Sequence, residues 1–282
     1  MPITPQELIS NLGDLPPLPQ VAAQVLRLAA DPDSTTDELR RVISSDVALT
    51  TQILKIANSA MFGMVREVKT LTQAIMTLGF STIKSVVIAS SAKNLYSRGG
   101  TGLQERVLWE HALVSALSGR AYAKAFRSPR VEEVFLGGLM HDIGKSVMGI
   151  KFTDRYSALV RSIYNGEADC LQSELDLFGF DHTMVGEALL ISWNLPASMV
   201  HAVRWHHDPR NAPAEDQALT AFVALGNQMA LDRKVGLGRP ESLARSTQQA
   251  VELLGIAPED LEGYQLQVVE ALETDKNLIR DF

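Results

Sequence analysis

Five of the six histidines in this 282-residue chain fall in short polar motifs set against apolar runs: "WEH" (His111), "HD" (His141, followed by Asp142), "DHTMVG" (His182) and "HH" (His206 and His207). The sixth, His201, stands alone. Imidazole nitrogen and carboxylate oxygen together suit zinc, iron, manganese or nickel, and helical folds build such sites from several helices. Taken singly, each histidine reads first as a satisfied core residue or a helix-end cap. Local composition favours a shared pocket for some of them. Ser115 and Ser118 follow His111, and Gly137 and Gly138 precede His141, so small side chains leave space on those helix faces. As helix neighbours, His206 and His207 point about 100° apart. They therefore suit one metal each, or one metal and one substrate, better than joint chelation of a single ion.

The elements that must position these residues read as helices. Between Pro32 and Pro129 there is no proline, and apolar residues recur at helical spacing: Leu39, Val42 and Ile43; Leu49, Ile53 and Leu54; Ile75 and Leu78; Ile83, Val86 and Val87. Thr35 and Glu38 have capping-box spacing, and Asp46 precedes "VALTTQILKIA" as an N-cap. Gly63 and Gly79 read as helix stops. Asn165-Gly166 ends "RYSALVRSIY", and Pro258 sits in the first turn of a C-terminal helix. The five side chains Ile53, Leu54, Ile75, Leu78 and Val86 are expected in the core. Trp109, Trp193 and Trp205 lie in apolar helices and also read as core. "SRGGTG", residues 97–102, is the clearest break and divides two helical halves. No segment alternates with the period of a strand, so the fold class is all-α.

Composition bounds the function. Hydrophobic residues make up 46% and charged residues 21%, which predicts a folded globular chain. Acidic residues outnumber basic ones by 33 to 26 and no basic run exists, which argues against nucleic acid as a partner. A single cysteine, Cys170, fits a reducing compartment. No signal peptide is read at the N-terminus and no stretch reads as a spanning helix, so the expectation is cytoplasmic with no membrane partner.

The ordered set "LPPLPQVA", "DVALTTQILKIANSAMFG", "AIMTLGF", "GLMHDIGK", "DHTMVG", "SWNLPASMV" and "HHDP" resembles the HDOD domain, a relative of the HD superfamily of metal-dependent phosphohydrolases and of its cyclic-dinucleotide-hydrolysing branch. The match covers roughly residues 12–230. That resemblance implies an N-terminal helical lobe (1–97) packed on an HD-like multi-helix lobe (103–235), followed by a C-terminal helical extension (236–282). It implies a ligand order of His111, then His141 and Asp142, then a distal carboxylate at the position held here by Asn227. With His182, His206 and His207 these residues are expected to converge on one pocket, with Asn227 at its edge. Asn227 offers only a neutral carbonyl oxygen, so a divalent transition metal (iron, manganese, nickel or zinc) is expected to bind weakly or partially. The chain also lacks the Gly-Tyr-Pro segment of the cyclic-dinucleotide branch, running "HHDPRNAPAED" instead.

Lys145, one turn after the HD pair, reads either as a phosphate-neutralising cation, with Asp142 as its catalytic partner in an active enzyme, or as a helix-end or solvated surface charge. In "NSAMFG", Asn58 and Ser59 read as satisfying backbone groups at a helix end while Phe62 fills the lobe interface. The leading functional expectation is a non-catalytic signal-transduction module that binds a separate signalling protein or a small ligand. The alternative is a metal-dependent phosphohydrolase acting on a nucleotide or other phosphate ester, in which metal-bound water attacks phosphorus.

Overall fold

Every element is helical, with short 3-10 turns between some helices and no strand among the described residues. The structure, a computed structural model, describes residues 4–10, 19–30, 33–58, 67–96 and 102–274. Before residue 97 come α1 (Pro5–Ser10), α2 (Gln20–Ala30), α3 (Thr36–Ser44), α4 (Val47–Ala57) and α5 (Leu71–Tyr96). α3 opens on the expected capping box, with the Thr35 and Glu38 side chains each accepting from the other's backbone N–H. Asp46 accepts the Leu49 N–H at 2.9 Å and so starts α4. Gly79 stops one helix as expected, but the next begins at once. α5 therefore runs on through a kink at φ 78°, ψ 166°, a backbone state that glycine adopts freely. The Gly63 stop, the Ser59 and Phe62 roles, the start of "LPPLPQVA" and the break at "SRGGTG" lie outside the described residues.

Ile53, Ile75 and Val86 are buried as expected, whereas Leu54 and Leu78 are only half-buried and lean on the core from its margin. The α5 segment Leu71–Ser90 is long and apolar enough to cross a membrane by length and composition, contrary to the expectation that no such stretch exists. Half of that segment is buried inside the protein, where α5 packs on α2, α3 and α4.

The remaining helices are α6 (Gly102–Ala125), α7 (Val131–Met140), α8 (Ile143–Lys151), α9 (Thr153–Tyr164), α10 (Cys170–Phe178), α11 (His182–Ser192), α12 (Ala197–Trp205), α13 (Gln217–Asp232), α14 (Ala244–Leu253) and α15 (Pro258–Thr274). Pro258 stands at the first position of α15, and Asn165-Gly166 follows α9, both as expected. The Tyr96 hydroxyl at the end of α5 donates to the Leu139 carbonyl of α7 at 2.9 Å, and one apolar core runs from Leu8 in α1 to Leu272 in α15.

At the centre α6 packs against both α7 and α13. The small residues near His111 and His141 leave no open space there; they allow close helix approach instead. A Cβ on Gly138 would lie 2.8 Å from the Ala116 Cα, and one on Gly226 would lie 2.8 Å from the Gly119 nitrogen. Ser115 and Ser118 are fully buried, and the Ser115 carbonyl lies against Gly138. Trp109 is core as expected, but Trp193 and Trp205 are half-buried, the latter beneath the Arg204 guanidinium at 4.3 Å.

Candidate functional site

Five helix positions bring the polar motifs together. His111 lies within α6, His182 is the first residue of α11, and Asn227 lies within α13. His141 and Asp142 occupy the corner where α7 ends and α8 begins, and His206 and His207 follow the last turn of α12. Asp181 caps α11 by accepting the N–H groups of Thr183 and Met184 at 2.8 and 3.0 Å, which holds His182 in place. Close approach of α8 to α11 depends on two glycines, since a Cβ on Gly144 would lie 2.9 Å from the Gly186 nitrogen.

Asp142 is the hub. Its Oδ2 lies 3.5 Å from His111 Nε2 and 3.4 Å from His141 Nε2, while Oδ1 lies 3.2 Å from His182 Nε2 and 3.8 Å from His206 Nε2. Two ligand sets share it: His111, His141 and Asp142, and Asp142, His182, His206 and His207. Within each set the donor atoms lie within 4.8 Å of one another. All six residues expected to converge therefore do so. His206 and His207 fall in one donor set, their ring centroids 4.1 Å apart, and His207 also lines the neighbouring pocket.

The outer ring nitrogens are anchored. Nδ1 of His111 lies 2.9 Å from the Val235 carbonyl, that of His141 2.7 Å from the Gly138 carbonyl, and that of His206 2.9 Å from the Val203 carbonyl. A carbonyl only accepts, so each Nδ1 carries a proton and each Nε2 is turned inward, the arrangement that orients metal-binding imidazoles. His182 does the same through a carboxylate, with Nδ1 at 2.7 Å from Glu174 Oε2.

The inward atoms lack ordinary partners. Asp142 Oδ1 and the Nε2 atoms of His182, His206 and His207 are buried without a hydrogen bond. His111 and His141 face each other through Nε2 at 3.2 Å, a contact that needs a proton or a metal between two lone pairs. Buried polar atoms without good partners are costly, and imidazole nitrogens and a carboxylate at this spacing fit a divalent transition metal.

Burial works against a charged Asp142, yet His141 and Lys145 outweigh it and hold the carboxyl well below its ordinary range. Burial pulls His111 down to about 4 and holds His206 and His207 well below the usual imidazole value, so these three are neutral near pH 7. His182 goes the other way: burial disfavours its charge, but the Glu174 carboxylate raises it well above the ordinary value.

Lys145 is not a solvated charge. It lies in the first turn of α8, 14% exposed, with Nζ 2.7 Å from Asp142 Oδ2. It lines a pocket together with His111, Asp142, His207 and Asn227, against apolar residues of α9 and of the segment after α13. Asn227 thus stands at the edge of the cluster, as expected. His201 stands apart, its Nδ1 paired with Asp216 Oδ2 at 2.7 Å.

Sequence reasoning missed Glu174. It is fully buried, accepting the His182 backbone N–H at 2.8 Å and the Tyr156 hydroxyl at 2.7 Å besides the imidazole. A signal existed, since Cys170, Glu174 and Phe178 share one helical face and the carboxylate is the odd member of that stripe.

The model of the HDOD domain family matches residues 15–209. An HDOD domain protein of unknown function from Geobacter sulfurreducens is 26% identical, with a TM-score of 0.79 over 98% of this chain and 95% of that one. A candidate phosphohydrolase from Shewanella amazonensis SB2B is 25% identical, with a TM-score of 0.71 over 96% of this chain and 97% of its own. An uncharacterized protein of Treponema pallidum (strain Nichols) is 28% identical over 225 residues, and the chain spans 43% of that relative's length. With a family match over more than half its length, this chain belongs to the HDOD domain family.

Proposed function

We propose that this protein is a regulatory HDOD module that holds a divalent transition metal loosely and does not turn over phosphate esters. Asn227 carries the reading. It stands on the pocket wall where the HD resemblance expects a carboxylate, so Asp142 alone supplies negative charge to both ligand sets, and Lys145 already offsets that charge. His111, His141 and Asp142 Oδ2 would hold one ion; Asp142 Oδ1, His182, His206 and His207 would hold another. Iron, manganese, nickel and zinc suit this donor set. A bound ion of this kind supplies Lewis acidity and an activated water. The residues themselves bind and orient, with the buried Nδ1–H contacts fixing each ring. The output passes to a separate signalling protein or a small ligand, in the cytoplasm, where Cys170 stays reduced.

A competing reading is a metal-dependent phosphohydrolase acting on a nucleotide or other phosphate ester. Lys145 favours it, because its ammonium lines the pocket beside both ligand sets. The name of the Shewanella relative points the same way. Elemental analysis of protein purified without chelator, followed by calorimetric titration with manganese, iron(II) and nickel, separates the two. The regulatory reading expects partial occupancy, weak binding and no phosphate release from nucleotides. Tight binding with metal-dependent phosphate release would overturn it in favour of the enzyme.

A further inference from the structure

The family match ends at residue 209, yet the turn after α13 reaches back to the centre. α13 ends at Asp232, and the chain reverses through Lys234 at φ 60°, with the Lys234 N–H bonded to the Leu231 carbonyl at 2.8 Å and the Val235 N–H to the Ala230 carbonyl at 2.9 Å. These are the paired bonds of a Schellman-type helix end. They aim the Val235 carbonyl at His111 Nδ1, 2.9 Å away. The next residue must then pass the imidazole without a side chain. Gly236 has φ +129°, and a Cβ there would lie 2.6 Å from His111 Nδ1 and 2.8 Å from Leu231 Cδ2. Two adjacent residues thus act on one ring, one by accepting the Nδ1–H hydrogen bond and the other by leaving it room.

We propose that the Val235–Gly236 turn is the positioning element of His111, so that the segment beyond the family match sets which nitrogen of this imidazole faces Asp142. The proposal builds on the metal-centre reading, but its first test needs no metal. In full-length protein labelled with ¹⁵N-histidine, with H111A used to assign the resonance, two-bond ¹⁵N–¹H spectra of the metal-free wild type are expected to show His111 as the Nδ1–H tautomer. G236A is expected to shift His111 to a mixed or Nε2–H pattern while His141 and His206 keep theirs. A wild-type His111 in the Nε2–H form, or a folded G236A with an unchanged His111, would overturn the proposal.

Mn(II) titration gives the second test. G236A is expected to weaken binding about tenfold, the scale of losing an outer-shell partner. Adding G236A to H111A is expected to cause no further loss; an additive loss would mean that the turn acts without His111 and would defeat the proposal. Should G236A fail to fold, the wild-type tautomer still decides it. A wild type that takes up no Mn(II) but shows the Nδ1–H tautomer defeats the metal reading instead, so the two failures are distinguishable.

Discussion

Asn227 and Glu174 differ in what they do for the cluster, and substitution separates them. Asn227→Asp places a second carboxylate on the pocket wall and is expected to tighten Mn(II) binding about tenfold, roughly 1.4 kcal/mol, in calorimetric titration. Asp142→Ala is expected to abolish binding, since both sets contain Asp142, whereas His141→Ala is expected to remove only the set that contains His141. Glu174 acts through other residues. Removing its carboxylate by Glu174→Ala leaves the His182 N–H, the His182 Nδ1–H and the Tyr156 hydroxyl buried without an acceptor. Breaking a buried pair from one side costs about 3–5 kcal/mol, and that loss is expected in denaturant melts of the metal-free protein. A loss below about 1 kcal/mol would mean that Glu174 does not hold this corner together.

At the scale of elements, burial changes one expectation drawn from periodicity alone. Leu78 sits on the predicted apolar face, but it falls at the margin because Gly79 turns the helix immediately after it. Leu78→Ala is therefore expected to cost less than the ~2–5 kcal/mol of a fully buried truncation. Ile53→Ala, with no exposed surface, is expected to cost the full amount in the same melts. The cap of α11 makes a second case. Asp181→Ala removes acceptors for two backbone N–H groups and the Thr183 hydroxyl, and a loss of about 1–2 kcal/mol is expected. Because His182 is the residue that follows the cap, weaker Mn(II) binding is expected alongside that loss of stability.

Across the whole molecule, a charged junction outside the histidine cluster ties distant helices. Asp216, just before α13, pairs with Arg130 at 2.8 Å at the start of α7 and with His201 at 2.7 Å on α12. Burial opposes its charge, but the hydrogen bonds from His201 and Arg130 outweigh it and hold the carboxyl below its ordinary value of 3.8. A carboxyl whose folded pKa is depressed contributes stability that is fully present above the unfolded value and is lost as pH falls through the folded value. Asp216→Asn is thus expected to lower stability at pH 7 and to have a much smaller effect near pH 2. Denaturant melts at the two pH values check this, and an equal loss at both would show that the junction is not electrostatic.

The helical class, the capping box at Thr35 and Glu38, the Asp46 cap and the grouping of His111, His141, Asp142, His182, His206 and His207 were legible in the sequence. These depend on local bonding chemistry, on short-range periodicity or on motifs whose order survives without coordinates. Close packing contacts between backbones and rings far apart in the chain were not legible. Nothing in the order of residues says that Gly236 must pass a histidine 125 positions earlier, or that Ser115, Gly138 and Gly226 are small because three helix backbones meet there. The chemistry of the cluster was therefore written in residue types, whereas its protonation, its ring orientations and the sharing of Asp142 between two sets were decided by tertiary packing. Only packing removes water from these groups and fixes which acceptor each Nδ1–H can reach.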